Sequence, residues 1–148
     1  MPHRVFRVCR AVFARLDGEG ARREGGRWNS PGTPMVYIAE SVSLAVLENL
    51  VHMSRVDFPS GYVVVGAEIP ERVHILGQAE LIAAMGPHDT RTLGDLWVRS
   101  NLSAVLAVRS TVVGSDHNFI LNPRHPQFAQ IVAEMPYPFE FDERLFVL

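Results

Sequence analysis

The segment Gly25–Gly32, Gly-Gly-Arg-Trp-Asn-Ser-Pro-Gly, constrains this chain more than any other. Gly25 and Gly26 on one side, and Pro31 and Gly32 on the other, keep a helix or strand from running through it. The backbone must turn there and carry Arg27 on a tight loop. A guanidinium held this way beside a flat indole suits a planar, anionic ligand. The same residues suit a structural turn, with Trp28 plugging the core and Arg27 tied to a carboxylate. The segment alone leaves both readings open.

After the loop come a short strand and a helix. Met35 to Ile38 reads as the strand and contains Tyr37; Ser41 to Met53 reads as a helix with Ser41 as its N-cap. At 3.6 residues per turn, Leu44, Leu47 and Val51 form one apolar stripe and Val46, Leu50 and Met53 another, so the helix is apolar nearly all round and is expected to be largely buried. Glu48 falls one turn after Leu44 and one turn before His52, within or beside the buried stripe. A carboxylate is costly there unless it is paired or employed in chemistry; otherwise it lies at the margin and reaches solvent.

The remaining pattern predicts a compact α+β domain over residues 1–148, a mixed sheet with flanking helices. Val5 to Val8 reads as a first strand, and Tyr62 to Ile69 and Ala104 to Val108 as buried strands. Val73 to Leu76 and Phe119 to Leu121 read as shorter ones. Gln78 to Met85 and Leu93 to Ser100 read as helices. Met135 to Phe141, with two prolines, reads as an extended tail or edge strand.

Composition narrows the function classes. All 14 basic residues are arginine and half precede Trp28, yet the net charge is -2 and Asp17, Glu19 and Glu24 interrupt the cluster. Direct nucleic-acid binding by this chain is therefore not expected. The single cysteine, Cys9, cannot form an internal disulfide, and no apolar run approaches the roughly 18 residues of a membrane span. With no charged-then-apolar segment at the N-terminus, the expectation is a cytoplasmic protein without membrane contact. The histidines lack metal-ligand spacing, so no metal is expected. Gly18-Glu19-Gly20 starts a dinucleotide fingerprint but meets Arg23 where the third glycine belongs. There is neither a P-loop nor a G-x-S-x-G elbow. His125, between Arg124 and Pro126, is expected to brace its turn.

Several blocks together resemble a known family. Gly20-Ala21, Gly25-Gly26-Arg27-Trp28-Asn29 with Gly32 and Tyr37, Ala45-Val46-Leu47-Glu48, and Leu121-Asn122-Pro123-Arg124-His125-Pro126 occur in the order and approximate spacing of the RES domain. The resemblance runs from about Arg7 to about Phe128. It implies the toxin of a bacterial toxin–antitoxin pair, with a fold related to ADP-ribosyltransferases and with intracellular NAD as substrate, so no separate cofactor. It also implies an Xre-like helix-turn-helix antitoxin that blocks the active site and itself carries the DNA-binding helix. A homodimer is compatible with it. By residue-to-residue match, the family's functional arginine falls on Arg27, its tyrosine on Tyr37 and its helical glutamate on Glu48. A serine after the late strand falls on Ser110, although Arg109 and Gly114 stand where the family usually has prolines. Trp28 and Asn122, within the matching blocks, join the expected NAD contacts.

The chemistry this implies is cleavage of the nicotinamide–ribose bond. Its transition state places positive charge on the ribose, which calls for an anion such as Glu48, while Arg27 would clamp phosphate oxygens. Tyr37 would stack on or position the nicotinamide, with Ser110 at the same end. Water, inorganic phosphate or a protein side chain could accept the ADP-ribosyl group. Mono-ADP-ribosylation of a host protein is thus the alternative activity, and a non-catalytic nucleotide- or partner-binding module the alternative of another class.

Overall fold

The computed structural model describes residues 1–54 and 57–146. Among these, eight strands form one sheet: β1 (His3–Arg10), β2 (Val36–Ala39), β3 (Tyr62–Ile69), β4 (Ile75–Gly77), β5 (Val105–Arg109), β6 (His117–Leu121), β7 (Val132–Ala133) and β8 (Tyr137–Phe139). The order is β4-β5-β6-β2-β1-β3-β7, with β8 also paired to β3. β4 and β5 are parallel and the other pairs antiparallel. A parallel pair needs a crossover, and two helices supply it, α3 (Gln78–Met85) and α4 (Thr90–Ser100). They are preceded in the chain by α1 (Glu19–Glu24) and α2 (Val42–Leu50). No helix among the described residues is long and apolar enough to cross a membrane.

Cross-strand partners share a sheet face, so the register sorts the side chains. Tyr37, Ile120 and Leu106 lie in one row; Ala39, Asn118 and Val108 lie in the next row of the same face. Val36, Leu121 and Val105 face the other way, with Val5 and Ala67, and form the first core. The face that carries Tyr37 holds two further apolar clusters. One gathers Trp28, Met35, Leu93, Trp97, Leu106 and Val108 beneath α3 and α4. The other gathers Val8, Ala39, Leu44, Ala45, Val64 and Phe141 around α2. Asn118 stands between Ala39 of one cluster and Val108 of the other, a polar residue on the seam.

The predicted β3 and α3 form over the expected residues, and Met135–Phe141 supplies an edge strand, β8. α4 starts at Thr90, three residues earlier than predicted, because Asp89 Oδ1 accepts the Thr92 N–H at 2.8 Å and caps it. Ser41 caps α2 as expected, its Oγ accepting the Leu44 N–H at 3.1 Å. The expectation that this helix is largely buried holds on one side only. Leu47 is 40% and Val51 57% exposed, while Leu44, Ala45 and Leu50 are buried. The helix packs on a single sheet face, so only one side is covered, and Glu48 lies on the partly covered side.

Candidate active site

The Gly25–Gly32 loop is stapled from every side. Gly26 and Asn29 bridge each other, the Gly26 N–H donating to the Asn29 carbonyl at 2.9 Å. Asn29 is fully buried; its Nδ2 donates to the Ala21 carbonyl (2.8 Å) and the Thr33 carbonyl (2.9 Å). The Tyr37 hydroxyl donates to Asn29 Oδ1 at 2.6 Å and accepts the Trp28 N–H at 3.0 Å. A Cβ on Gly26 would stand 2.7 Å from that hydroxyl, so the residue must be glycine for the loop to lie on Tyr37. Ser30 fastens the far side, its N–H and Oγ–H donating to the two oxygens of Asp95 at 2.9 and 2.6 Å. Gly94, next to Asp95, lets α4 approach: a Cβ there would fall 1.6 Å from the Trp28 carbonyl oxygen. A helix-interior glycine costs about 1 kcal/mol relative to alanine, less than the collision that any side chain would bring.

These contacts set what the loop can offer. Trp28 is 3% exposed and its ring belongs to the core; the expected indole contact with a ligand is replaced by a structural role. Arg27 is exposed, and its guanidinium makes no hydrogen bond or ion pair among the described residues. Burial pushes the Tyr37 phenol up to about 12, outweighing the Trp28 N–H and the Arg91 charge, which act the other way. Tyr37 is therefore neutral at physiological pH, with both hydroxyl functions spent and its half-buried ring the part left to meet a ligand.

The second half of the site is built on Glu48. Its Oε1 accepts the Ser110 hydroxyl at 2.7 Å and the Asn118 amide at 2.8 Å. Ser110, at the end of β5, is buried, and its Oγ accepts the N–H groups of Val112 (3.1 Å) and Val113 (3.0 Å). With its acceptor capacity filled, the hydroxyl proton is left to the carboxylate. The Ser110 N–H bonds the Asp116 carbonyl at 2.9 Å, extending the β5–β6 ladder and keeping Ser110 on the face of Val108 and Asn118. α2 is moored by Asn49, whose Nδ2 donates to the Val8 carbonyl at 2.8 Å. Both bonds to Glu48 fall on one oxygen; Oε2 accepts none among the described residues.

The two halves share one sheet face. Tyr37 sits opposite Ile120, and Asn118 two residues along, a diagonal of about 7–8 Å between neighbouring strands. The fold thus brings Glu48, Ser110 and Tyr37 together, with Arg27 on the loop that lies on Tyr37. Asn122 is not part of this group. It is fully buried, its Nδ2 donating to Asn101 Oδ1 at 3.2 Å and its Oδ1 accepting the Arg124 N–H at 3.0 Å, a clip that closes the turn after β6. His125 braces that turn, Nδ1 accepting the Gln127 N–H at 3.0 Å. Asn118, Asn29 and Asp95 carry the site's geometry, and sequence reasoning assigns none of them a role. Only Asn29, inside the Gly-Gly-Arg-Trp-Asn block, has a local signal.

Two depressions lie elsewhere. One, of about 630 Å³, runs between Phe58–Gly61 and Phe139–Arg144; the other, of about 440 Å³, is lined by His3, Arg4, Glu40 and His117 among others. Neither includes Glu48, Tyr37 or Arg27. The carboxylate oriented by Ser110 and Asn118, on the sheet face that carries Tyr37, outweighs concavity in locating the chemistry. No group of three or more metal-ligating side chains converges among the described residues.

Residues 2–142 match the family described as the RES domain. The chain belongs to the RES-domain family of toxins. It is 37% identical over 149 residues to "Toxin Res" of Yersinia enterocolitica, covering 95% of this chain and 98% of that one. It is 38% identical to "Toxin Res" of Pseudomonas putida over 92% of this chain and 96% of the other. A Sphingobium relative, "Prs ADP-ribosylating toxin", is 33% identical over 88% and 86%. Among solved structures, a chain of the M. tuberculosis MbcT–MbcA toxin–antitoxin complex superposes with a TM-score of 0.69 over 99% of this chain and 87% of that one. At 18% identity that likeness speaks to the fold, the mixed α+β arrangement of a RES domain.

Proposed function

We propose that this RES-domain toxin cleaves the nicotinamide–ribose bond of NAD. The observation that carries the reading is the Glu48 carboxylate, turned by Ser110 and Asn118 through one oxygen while the other has no partner among the described residues. An anion fixed before the substrate arrives stabilises an oxocarbenium-like ribose without reorganising during the reaction. Nicotinamide leaves with the bonding pair as a neutral molecule. Water then adds to the ribose carbon and loses a proton, giving ADP-ribose. Arg27 binds phosphate oxygens, and the Tyr37 ring packs on the nicotinamide end. Ser110 acts through Glu48, because its proton is already engaged there. No metal or cofactor has a part in this scheme.

A second reading has its own support. The Sphingobium relative carries the name "Prs ADP-ribosylating toxin", which favours a protein side chain in place of water as acceptor. Inorganic phosphate would give a third product by the same first step. Incubating the purified chain with NAD and identifying products by mass separates them: free ADP-ribose, its 1''-phosphate when phosphate is present, or a protein heavier by one ADP-ribosyl group. Intact NAD would overturn the enzymatic reading and leave a binding module.

The same reading implies control, since such an activity in the cytoplasm would kill its host. We propose an Xre-like antitoxin that covers the site, with a carboxylate-bearing segment set against Arg27. Wild-type chain expressed alone should then halt growth and deplete NAD. Harmless accumulation of folded wild-type chain would contradict this.

A further inference from the structure

Two arginines, not one, stand at the Gly26–Arg27 peptide. Arg91, in the first turn of α4, donates from Nε to the Gly26 carbonyl at 3.3 Å, while its neighbour Thr90 donates from Oγ1 to the Arg27 carbonyl at 2.7 Å. The Nε bond leaves the four N–H groups on the two terminal nitrogens of Arg91 without a partner among the described residues. No acid forms a direct ion pair with either guanidinium among those residues, although the Asp89 carboxylate feels the Arg91 charge. Asp95, one turn further along α4, gives both oxygens to Ser30, and Asp89 holds the Thr92 N–H. The charge of Arg91 is felt at the Tyr37 hydroxyl, which ties it electrostatically to the centre of the candidate site.

Two arginines attached to one loop, each with guanidinium N–H groups that have no partner among the described residues, offer an anion two sets of donors. We propose that Arg91 is a second phosphate-binding residue of this site, sharing the pyrophosphate of the dinucleotide with Arg27. The proposal rests on the NAD reading above. Two linked phosphates carry two charges and offer each guanidinium its own pair of oxygens, which a single arginine cannot satisfy at once. Because both side chains are exposed, their contribution falls as salt rises.

The test uses the full chain carrying Glu48→Gln and measures ADP-ribose affinity by calorimetry at low and moderate salt. Adding Arg91→Gln should weaken ADP-ribose roughly tenfold and flatten the salt dependence, with an unchanged unfolding midpoint. Adding Thr90→Val, which removes the neighbouring loop bond and no charge, should weaken binding less than about twofold and keep the parent's salt dependence. The proposal is overturned if Arg91→Gln binds like its parent, or if its loss comes with the parent's salt dependence, since Arg91 would then only brace the loop. Should Arg91→Gln fail to fold, Arg91→Lys takes its place: it keeps the charge but not the fork, and parental affinity would overturn the proposal. A parent that binds neither ADP-ribose nor NAD would instead defeat the NAD reading, and this inference with it.

Discussion

The two polar centres on this sheet face use the same kinds of atoms to opposite ends. Around Asn29, every side-chain polar atom is consumed: the amide spans the Ala21 and Thr33 carbonyls, and its oxygen meets a tyrosine hydroxyl that also holds the Trp28 N–H. Around Glu48, two donors converge on one oxygen and, among the described residues, leave the other open. A saturated knot can only hold a shape. A carboxylate oriented but half-satisfied can meet a developing positive charge, and the contrast separates scaffold from chemistry.

The sharpest break would come from Glu48→Gln. Its amide oxygen can still accept from Ser110 and Asn118, so the fold should persist while NAD turnover falls roughly 10²–10³-fold, about 3–4 kcal/mol of transition-state stabilisation. Wild-type turnover in this variant would erase the distinction between the two centres. Asn29→Ala is the converse. It should cost about 2–3 kcal/mol of stability in a denaturant titration, because buried carbonyls and the Tyr37 hydroxyl lose their partner. A loss below about 0.5 kcal/mol would mean that the loop does not depend on the knot.

Tyr37→Phe should cost less, about 1–2 kcal/mol, and it adds a pH signature. Burial raises the phenol from 10.0 to about 12, so between these values the folded chain keeps a proton that the unfolded chain releases. Stability from this group is intact below pH 10 and declines as pH rises toward 12, a descent that should be missing in the phenylalanine variant. Parallel urea midpoints for both chains across that range would refute the assignment. The smallest effect is expected from Asn118→Ala, which leaves Ser110 on Glu48. A loss of about 1 kcal/mol, roughly fivefold in NAD turnover with little change in melting, would make Asn118 a positioning residue. Equal turnover would show that Ser110 suffices.

Much of this is legible without the fold. Glycine and proline force the Arg27 loop, a continuous apolar run locates β3, and Ser41 marks the start of α2, because each signal depends on residues within a turn or two of one another. The burial of α2 is not legible in this way, because apolar residues circle the helix while only one side meets a sheet. Asn118 and Asp95 escape for a related reason: an asparagine in a short strand and an aspartate in a helix look unremarkable until their partners are known.

The sequence by itself determined which residue types were available and which local shapes carried them: an arginine on a tight loop, a glutamate on a helix, a tyrosine on a strand. Tertiary structure alone decided that Ser110 and Asn118, 62 and 70 residues from Glu48, meet the same oxygen. That meeting depends on the β5–β6–β2 register, where a slip of one residue would send Asn118 to the opposite face, and register is set by the burial of whole strands rather than by any residue in the site.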